Sequence, residues 1–443
     1  MTERKSLLGT VVAQYGSIVA VVVCGFVQSV IVARSLGPTT LGFWAAITAI
    51  VSIVFQLLSP RLHEAVIRFA IDYRNADDGE GVWAVVRLSF VVDAVSGCFA
   101  GAVAFGIGWL SRSLVLSSEV EPALMATYGA TLAWTVAATF LSSVGNATAI
   151  GILRVLDAAR AQAFITAAVA VLRLVSYAIV LHLGFGLSGL VPALAVVALL
   201  STGALLAMAW SRLRARYPSA RGDIGRIAPR LREMGRFSRS TWLFSVLQVP
   251  TKDLDVSLLP LFVPLASVGD YKVAKSLMSA VWLIADPVFT VVYPELADLW
   301  VRRQLSSLRT WQRKLTLGFG GLGALAAAAC FALVPTVLPM VFGHKFDRAT
   351  PLFLTMVALA VPWFAFCWVQ PMLVAAGRPD LSVRSVLASA TVTIAGLALV
   401  APRYGALGAA LVTGSASLAA VLVGLLQCKR IGALPPAAAT DKA

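Results

Sequence analysis

The sequence predicts an all-α, polytopic membrane protein of about twelve transmembrane helices in two pseudo-symmetric six-helix lobes around a central cavity. Three observations carry this. Of 443 residues, 59% are hydrophobic and 13% charged, about half the charged share of an ordinary soluble domain. The mean hydropathy of +0.86 over the whole length requires apolar stretches long enough to cross a bilayer, at roughly 20 residues each. The arginines, finally, recur between those stretches on alternate sides rather than in one basic patch.

Twelve apolar segments follow in order: 9–33, 40–59, 83–110, 122–150, 161–183, 187–210, 240–263, 273–299, 315–341, 350–376, 381–401 and 405–427. Lipid cannot satisfy stray backbone groups, so such runs are helices or a closed barrel. They lack strand-like alternation, which excludes the barrel. The first run continues past MTERK to about Ala33, too long for a signal h-region, and reads as a retained span.

With the N-terminus in the cytoplasm, Lys and Arg in the inner loops outnumber those in the outer loops by 27 to 6. The positive-inside rule therefore predicts both termini in the cytoplasm. The formal charge of +15 is topology, and no nucleic-acid partner is expected. SRLRARYPSARGDIGRIAPRLREMGRFSR, 211–239, is the longest polar segment. It divides the chain into an N-terminal lobe (1–210), a basic cytoplasmic linker, a C-terminal lobe (240–427) and a tail (428–443). The linker either contacts anionic lipid or an acidic partner, or is simply retained in the cytoplasm by its charges. Cys24, Cys98, Cys330, Cys367 and Cys428 lie in or beside apolar stretches without a C-x-x-C; they read as small core residues, with no disulfide framework or metal site.

The halves resemble each other. SLGPTTLGFWAAI and PLASVGDYKVAKS place Gly42 and Gly269 before an aromatic-containing span start, 227 positions apart. GFGLSGLVPAL and RYGALGAALVTG align Gly186 and Gly189 with Gly405 and Gly408, 219 apart. Such self-similarity indicates duplication. Six spans per half make the repeat parallel, with its pseudo-two-fold axis along the membrane normal.

The same residues carry a family resemblance. ARSLGPTTLGFW, VGDYKVAKS, YPELADLW, MVFGHKF, AAGRPD and RYGALGAALVTG resemble the polysaccharide-export branch of the multidrug/oligosaccharidyl-lipid/polysaccharide flippase superfamily, nearest to Wzx-type flippases of O-antigen and exopolysaccharide units. The resemblance spans nearly the whole chain, through motifs that mark turns and packing. It implies a two-lobed bundle in the bacterial cytoplasmic (inner) membrane. That bundle would move undecaprenyl-pyrophosphate-linked oligosaccharides from the inner to the outer leaflet by alternating access, for surface polysaccharide biosynthesis. It implies no catalytic constellation.

Charges inside spans mark the candidate site, because each costs roughly 2.5–3.5 kcal/mol at mid-span on insertion scales. In LQVPTKDLDVSLLP, Lys252 and Asp255 stand at i, i+3 and can pair, while Asp253 points elsewhere; Pro250 permits a bend there. Lys272, Lys275 and Asp286 share a face of the next span. Arg173 and Asp93 interrupt spans 5 and 3. Arg61, Glu64 and Arg68 follow span 2 on a helix expected to continue beyond the membrane core. A pyrophosphate crossing a low-dielectric core needs cations, so Arg61, Arg68, Arg173, Lys252 and Lys275 are the candidate headgroup contacts. Asp93, Asp253, Asp255 and Asp286 either partner those cations or bind a coupling H⁺ or Na⁺. No other cofactor is expected. Partners are the lipid-linked oligosaccharide, bilayer lipids and other polysaccharide-assembly membrane proteins.

Two other classes compete. An ion-coupled multidrug exporter of the same superfamily calls for an acidic, aromatic-lined cavity, whereas the spans here hold at least as many cations as acids. A membrane-embedded polymerase or glycosyltransferase needs acid/base or metal-binding groups. The outer loops are short, and His63, His182 and His344 are scattered.

Overall fold

A computed structural model describes residues 2–59, 62–115, 122–252 and 254–433; within these, the side chains of 2–13, 62–63, 114–115, 244, 248, 250–252, 280, 283–291 and 379 lie outside the description. The described chain contains helices and turns, with no strand among the described residues. In order these are α1 (Thr2–Leu58), α2 (Leu62–Asn75), α3 (Gly79–Leu110), α4 (Arg112–Val115), α5 (Pro122–Ala126), α6 (Tyr128–Ser143), α7 (Asn146–Val155), α8 (Ala159–His182) and α9 (Gly186–Arg216). After a 3₁₀ turn at Ile224–Arg230 come α10 (Leu231–Lys252), α11 (Leu254–Leu258), α12 (Leu265–Val301), α13 (Leu305–Phe342), α14 (Ala349–Ala365), α15 (Val369–Ala375) and α16 (Pro379–Arg430).

Eight helices among the described residues are long and apolar enough to cross a membrane, against twelve segments expected. The difference has a physical cause. Gln14–Leu58 and Asp380–Arg430 run for 45 and 51 residues, about twice one crossing. Each is broken by a glycine in a conformation no helix contains, Gly37 (φ 73, ψ 172) and Gly405 (φ 58, ψ −139). Each is therefore long enough for two crossings. Segments 240–263 and 273–299 lie on α10–α11 and α12, which include residues outside the description. Within two of the eight, Tyr128–Val155 and Ala349–Ala375, the helix is interrupted by a turn. Gly145 in the left-handed region separates α6 from α7, and the turn at Phe366–Trp368 separates α14 from α15. Beyond the bend at Ser59 the described chain resumes at Leu62 as an amphipathic helix, α2.

Large apolar side chains lie outside as well as inside. Val95 and Phe99 of α3 and Leu325, Leu333 and Met340 of α13 are exposed. Such a surface is stable only where lipid replaces water. Of the cysteines, Cys428 is buried, whereas Cys98 is exposed on α3, so the expectation of core residues does not hold for it.

The chain divides into two compact units. Unit 1 comprises Met1–Leu36 and Ala46–Val246; unit 2 comprises Gly37–Ala45 and Leu247–Ala443. Unit 1 has a core built from α2, α3, α7 and α9, where Phe69, Val85, Leu153 and Leu213 are fully buried. Unit 2 has a corresponding core in which Leu296 of α12, Leu308 of α13 and Met372 of α15 are buried.

The duplication is written into the turns. Asp77 and Arg303, 226 apart, both have positive φ, as do Asp157 and Gly377, 220 apart, and Gly186 and Gly405. Asp78 N–H bonds to Tyr73 C=O and Gln304 N–H to Leu299 C=O, while Ala158 and Arg378 N–H reach Leu153 and Leu373 C=O. These are Schellman closures, which satisfy the last carbonyls of a helix. The same helix ends stop by the same device in both halves, although only Gly377 is a glycine at its position.

The basic segment 211–239 is folded onto unit 1. The Glu80 carboxylate accepts backbone N–H bonds from Arg221, Gly222 and Asp223 at 2.8, 2.8 and 3.3 Å. Ile227 is fully buried in the unit 1 core. Arg230 bonds Asp72 at 2.8 Å and Glu233 at 3.2 Å, over the rings of Phe69 and Tyr73. Asp78 bonds the Arg226 guanidinium at 2.8 Å and the Gly81 amide at 3.0 Å. Burial alone would raise the Asp78 pKa, but these two donors hold it below the usual aspartate value. A depressed carboxylate stabilises folding above its unfolded pKa, and that contribution is lost as pH falls through the folded value. Proteolysis between Arg221 and Arg232 is thus expected to accelerate as pH falls below about 4. Asp78→Asn should bring much of that acceleration to pH 7, read by fragment mapping; an unchanged cleavage rate would remove Asp78 as a clamp.

Candidate functional site

Unit 2 holds a buried charged cluster. Asp255 sits on α11, and its side chain is only 3% exposed. Tyr271 and Lys275, one turn apart on α12, present neighbouring side chains to it. The Asp255 Oδ1 accepts from Lys275 Nζ at 2.5 Å and from the Val256 N–H at 2.8 Å. Oδ2 accepts from Tyr271 Oη–H at 2.5 Å and from Thr413 Oγ1 at 3.3 Å, with Tyr271 and Thr413 hydroxyls 2.8 Å apart. Thr413 comes from α16, eight residues past its break at Gly405. A carboxylate taken out of water stays charged only when paired and hydrogen-bonded. Here each oxygen has two donors.

Asp255 and Lys275 line one wall of a cavity of about 510 Å³. Lys272, Ser276, Ser279, Ser389, Thr393 and Ser417 bring further polar groups to it, and Trp282 and Trp363 bring aromatic surface. The two indoles meet edge to face at 4.5 Å, and Trp282 stacks on Phe364 at 5.7 Å. Rings locked in this way form a rigid apolar platform beside cations and hydroxyls. Such a site can hold an anionic headgroup and the apolar faces of a polar ring.

The other expected site residues are distributed as follows. Lys252 closes α10, but its side chain lies outside the described residues, so the expected Lys252–Asp255 pair is not described. The described partners of Asp255 come from α12 and α16. Arg61 and Asp253 lie outside the described residues, as does the Asp286 side chain. Arg173 on α8 of unit 1 is half-buried, with its Nε lacking a hydrogen-bond partner among the described residues. Arg68 is on the surface of unit 1, 3.5 Å from Glu233 and over the rings of Phe69 and Phe237. Asp93 is buried in unit 1 and accepts from Thr148 Oγ1 at 2.7 Å. Its described partner is a hydroxyl in the first turn of α7 rather than a cation.

Sequence reasoning missed Tyr271, Thr413, Trp282 and Trp363. One signal for the cluster was present in the repeat. At the 227-residue offset of Gly42 and Gly269, Asp255, Tyr271 and Lys275 correspond to Gln28, Trp44 and Thr48. The first half keeps polar groups at these positions but no charge, so the ion pair belongs to one half alone.

A family profile described as polysaccharide biosynthesis protein matches residues 11–300. No curated protein matches the sequence. Among solved structures, the lipid II flippase MurJ in an inward closed conformation is similar with a TM-score of 0.70 at 12% identity, covering 95% of this chain and 87% of that one. A multidrug resistance MATE family transporter of the MOP superfamily, inward-facing, gives 0.69 at 16% identity, covering 93% of this chain and 94% of that one. A MOP superfamily transporter from Pyrococcus furiosus, reported with a binding pocket of reverse polarity, gives 0.64 at 14% identity over 98% and 97%. At these identities the likeness establishes a common fold.

Proposed function

The chain belongs to the polysaccharide biosynthesis protein family, and on that premise we propose that it flips undecaprenyl-pyrophosphate-linked oligosaccharide repeat units from the inner to the outer leaflet by alternating access. The observation that carries this reading is the unit 2 cavity. Lys272 and Lys275 supply charge-assisted donors for a pyrophosphate. Trp282 and Trp363 offer surface for sugar faces, and the surrounding serines and threonines offer hydroxyls. The lipid tail would stay in the bilayer while the headgroup crosses. The chain acts as a transporter, not an enzyme. The resemblance to Wzx-type flippases implies the bacterial inner membrane, and the arginine bias supports both termini in the cytoplasm. The basic 211–239 segment is the surface on which other polysaccharide-assembly proteins would gather.

A second reading rests on Asp255. A buried carboxylate on a fold shared with MATE transporters suits an H⁺- or Na⁺-coupled exporter of cationic drugs. Reconstitution in vesicles with a fluorescent undecaprenyl-pyrophosphate oligosaccharide separates the two. Protein-dependent loss of leaflet protection is the expected result. Efflux of a cationic dye with no movement of the oligosaccharide would replace the flippase reading by the exporter.

A further inference from the structure

Unit 1 contains a larger groove that the proposed transport site does not use. Its volume is about 1320 Å³, and it opens between the first turns of α3 and the last turns of α9. The α7 helix packs against both and floors the gap with Thr148 and Ile152. Its lining joins Arg87, Arg214 and Arg221 to Phe90, Val91, Leu206 and Ala207. Arg214 and Leu206 stand eight residues apart on α9, so the lining extends about 12 Å along that helix.

Three observations specify the occupant. The arginines are exposed, and none is ion-paired among the described residues; the nearby acids are engaged elsewhere, Glu80 by backbone amides and Asp78 by Arg226. The mouth is rigid. The Trp83 indole N–H donates to Tyr217 C=O at 3.3 Å, Trp83 meets Trp210 edge to face at 4.8 Å, and the Arg214 guanidinium lies 5.5 Å above Trp210. The groove also sits where two crossing helices meet the most arginine-rich segment of the chain. Tryptophan and arginine collect at that level of a membrane, and basic pockets between helices there hold lipid headgroups.

We propose that this groove is a binding site for an anionic glycerophospholipid, with the phosphate held by Arg87, Arg214 and Arg221 and one acyl chain lying along Phe90, Val91 and Ala207. A free phosphate would leave the apolar length unfilled, and a zwitterionic lipid would leave the cationic end uncompensated. The lipid would fasten the 211–239 segment to the membrane end of unit 1.

The test is native mass spectrometry of the purified full-length protein titrated with phosphatidylglycerol or phosphatidylcholine. Arg87→Gln/Arg214→Gln removes the headgroup end. Ala207→Trp fills the acyl path and leaves every charge in place. Arg309→Gln/Arg313→Gln removes two exposed arginines outside the groove. Phosphatidylglycerol affinity is expected to fall at least tenfold in both groove variants and to change less than twofold in the control. Phosphatidylcholine binding should be alike in all four proteins. Undiminished binding in Ala207→Trp would reduce the effect to diffuse attraction by a basic surface and overturn the site. So would an equal loss in the control pair. Displacement of phosphatidylglycerol by equimolar undecaprenyl pyrophosphate would reassign the groove to the transported substrate. None of these readouts depends on transport, so the flippase proposal and this one can fail separately.

Discussion

Lys275→Met is expected to abolish flipping and destabilise the protein, whereas Asp255→Asn/Lys275→Met regains stability without regaining transport. Removing one partner of a buried ion pair typically costs about 3–5 kcal/mol, because the other charge is left uncompensated, while replacing both is often close to neutral. The two single variants should differ. Asp255 is 3% exposed and cannot turn toward water, whereas Lys275 is 18% exposed and lines the cavity. Deleting the lysine thus strands the acid, with Tyr271 and Thr413 as its remaining side-chain donors. Asp255→Asn only releases the lysine into the cavity. If Lys275 grips the headgroup, Asp255→Asn should bind undecaprenyl pyrophosphate more tightly than wild type while turning over more slowly. Thermal melts of the purified variants, ligand titration and the leaflet-accessibility assay give the three numbers. Wild-type flipping by a folded Lys275→Met protein would remove this lysine from the substrate path and leave a structural pair.

The second large effect is expected at Gly42 and Gly269. A Cβ on Gly42 would lie 1.9 Å from the Leu265 carbonyl oxygen and 2.9 Å from the Gly269 nitrogen; one on Gly269 would lie 2.0 Å from the Pro38 oxygen. The contacts are reciprocal, since 38 and 265, like 42 and 269, differ by 227 positions. The repeat-related glycines therefore let two backbones meet face to face. Overpacking usually costs about 1–3 kcal/mol and can cost more. Here the obstacle is main chain on both sides, with no rotamer to yield, so the upper end or beyond applies. Gly42→Ala or Gly269→Ala should each lower the melting temperature and the yield of monodisperse protein. The double variant should cost clearly less than twice either single one, because the first displacement makes room for the second. Additive losses would mean that the two sites do not share one contact.

The glycines show how far sequence could go. Their positions before matched span starts made the duplication visible, and the offset between them also aligned Gln28, Trp44 and Thr48 with Asp255, Tyr271 and Lys275. Nothing in the sequence said that Gly42 and Gly269 touch. For Asp255, helical spacing offered only neighbours on its own segment, and Lys252 at i−3 was the nearest cation. Its observed partners stand 16, 20 and 158 residues later. Trp363 was unremarkable in an apolar run until α14 brought it against Trp282. Segment 211–239 read as a linker because its composition is polar, but it is held by Glu80, Asp72 and Asp78 from elements that precede it by well over a hundred residues.

By itself the sequence determined the membrane class, the helical architecture and the duplicated halves with their glycine-marked turns. These follow from local quantities: the transfer free energy of a short window, and the backbone freedom of a single residue. The tertiary structure decided which charges neutralise one another, which polar groups face a cavity and where the basic segment folds back. Those outcomes depend on pairwise distances across the chain, and in a low-dielectric interior a few ångströms separate a stabilising partner from an uncompensated charge.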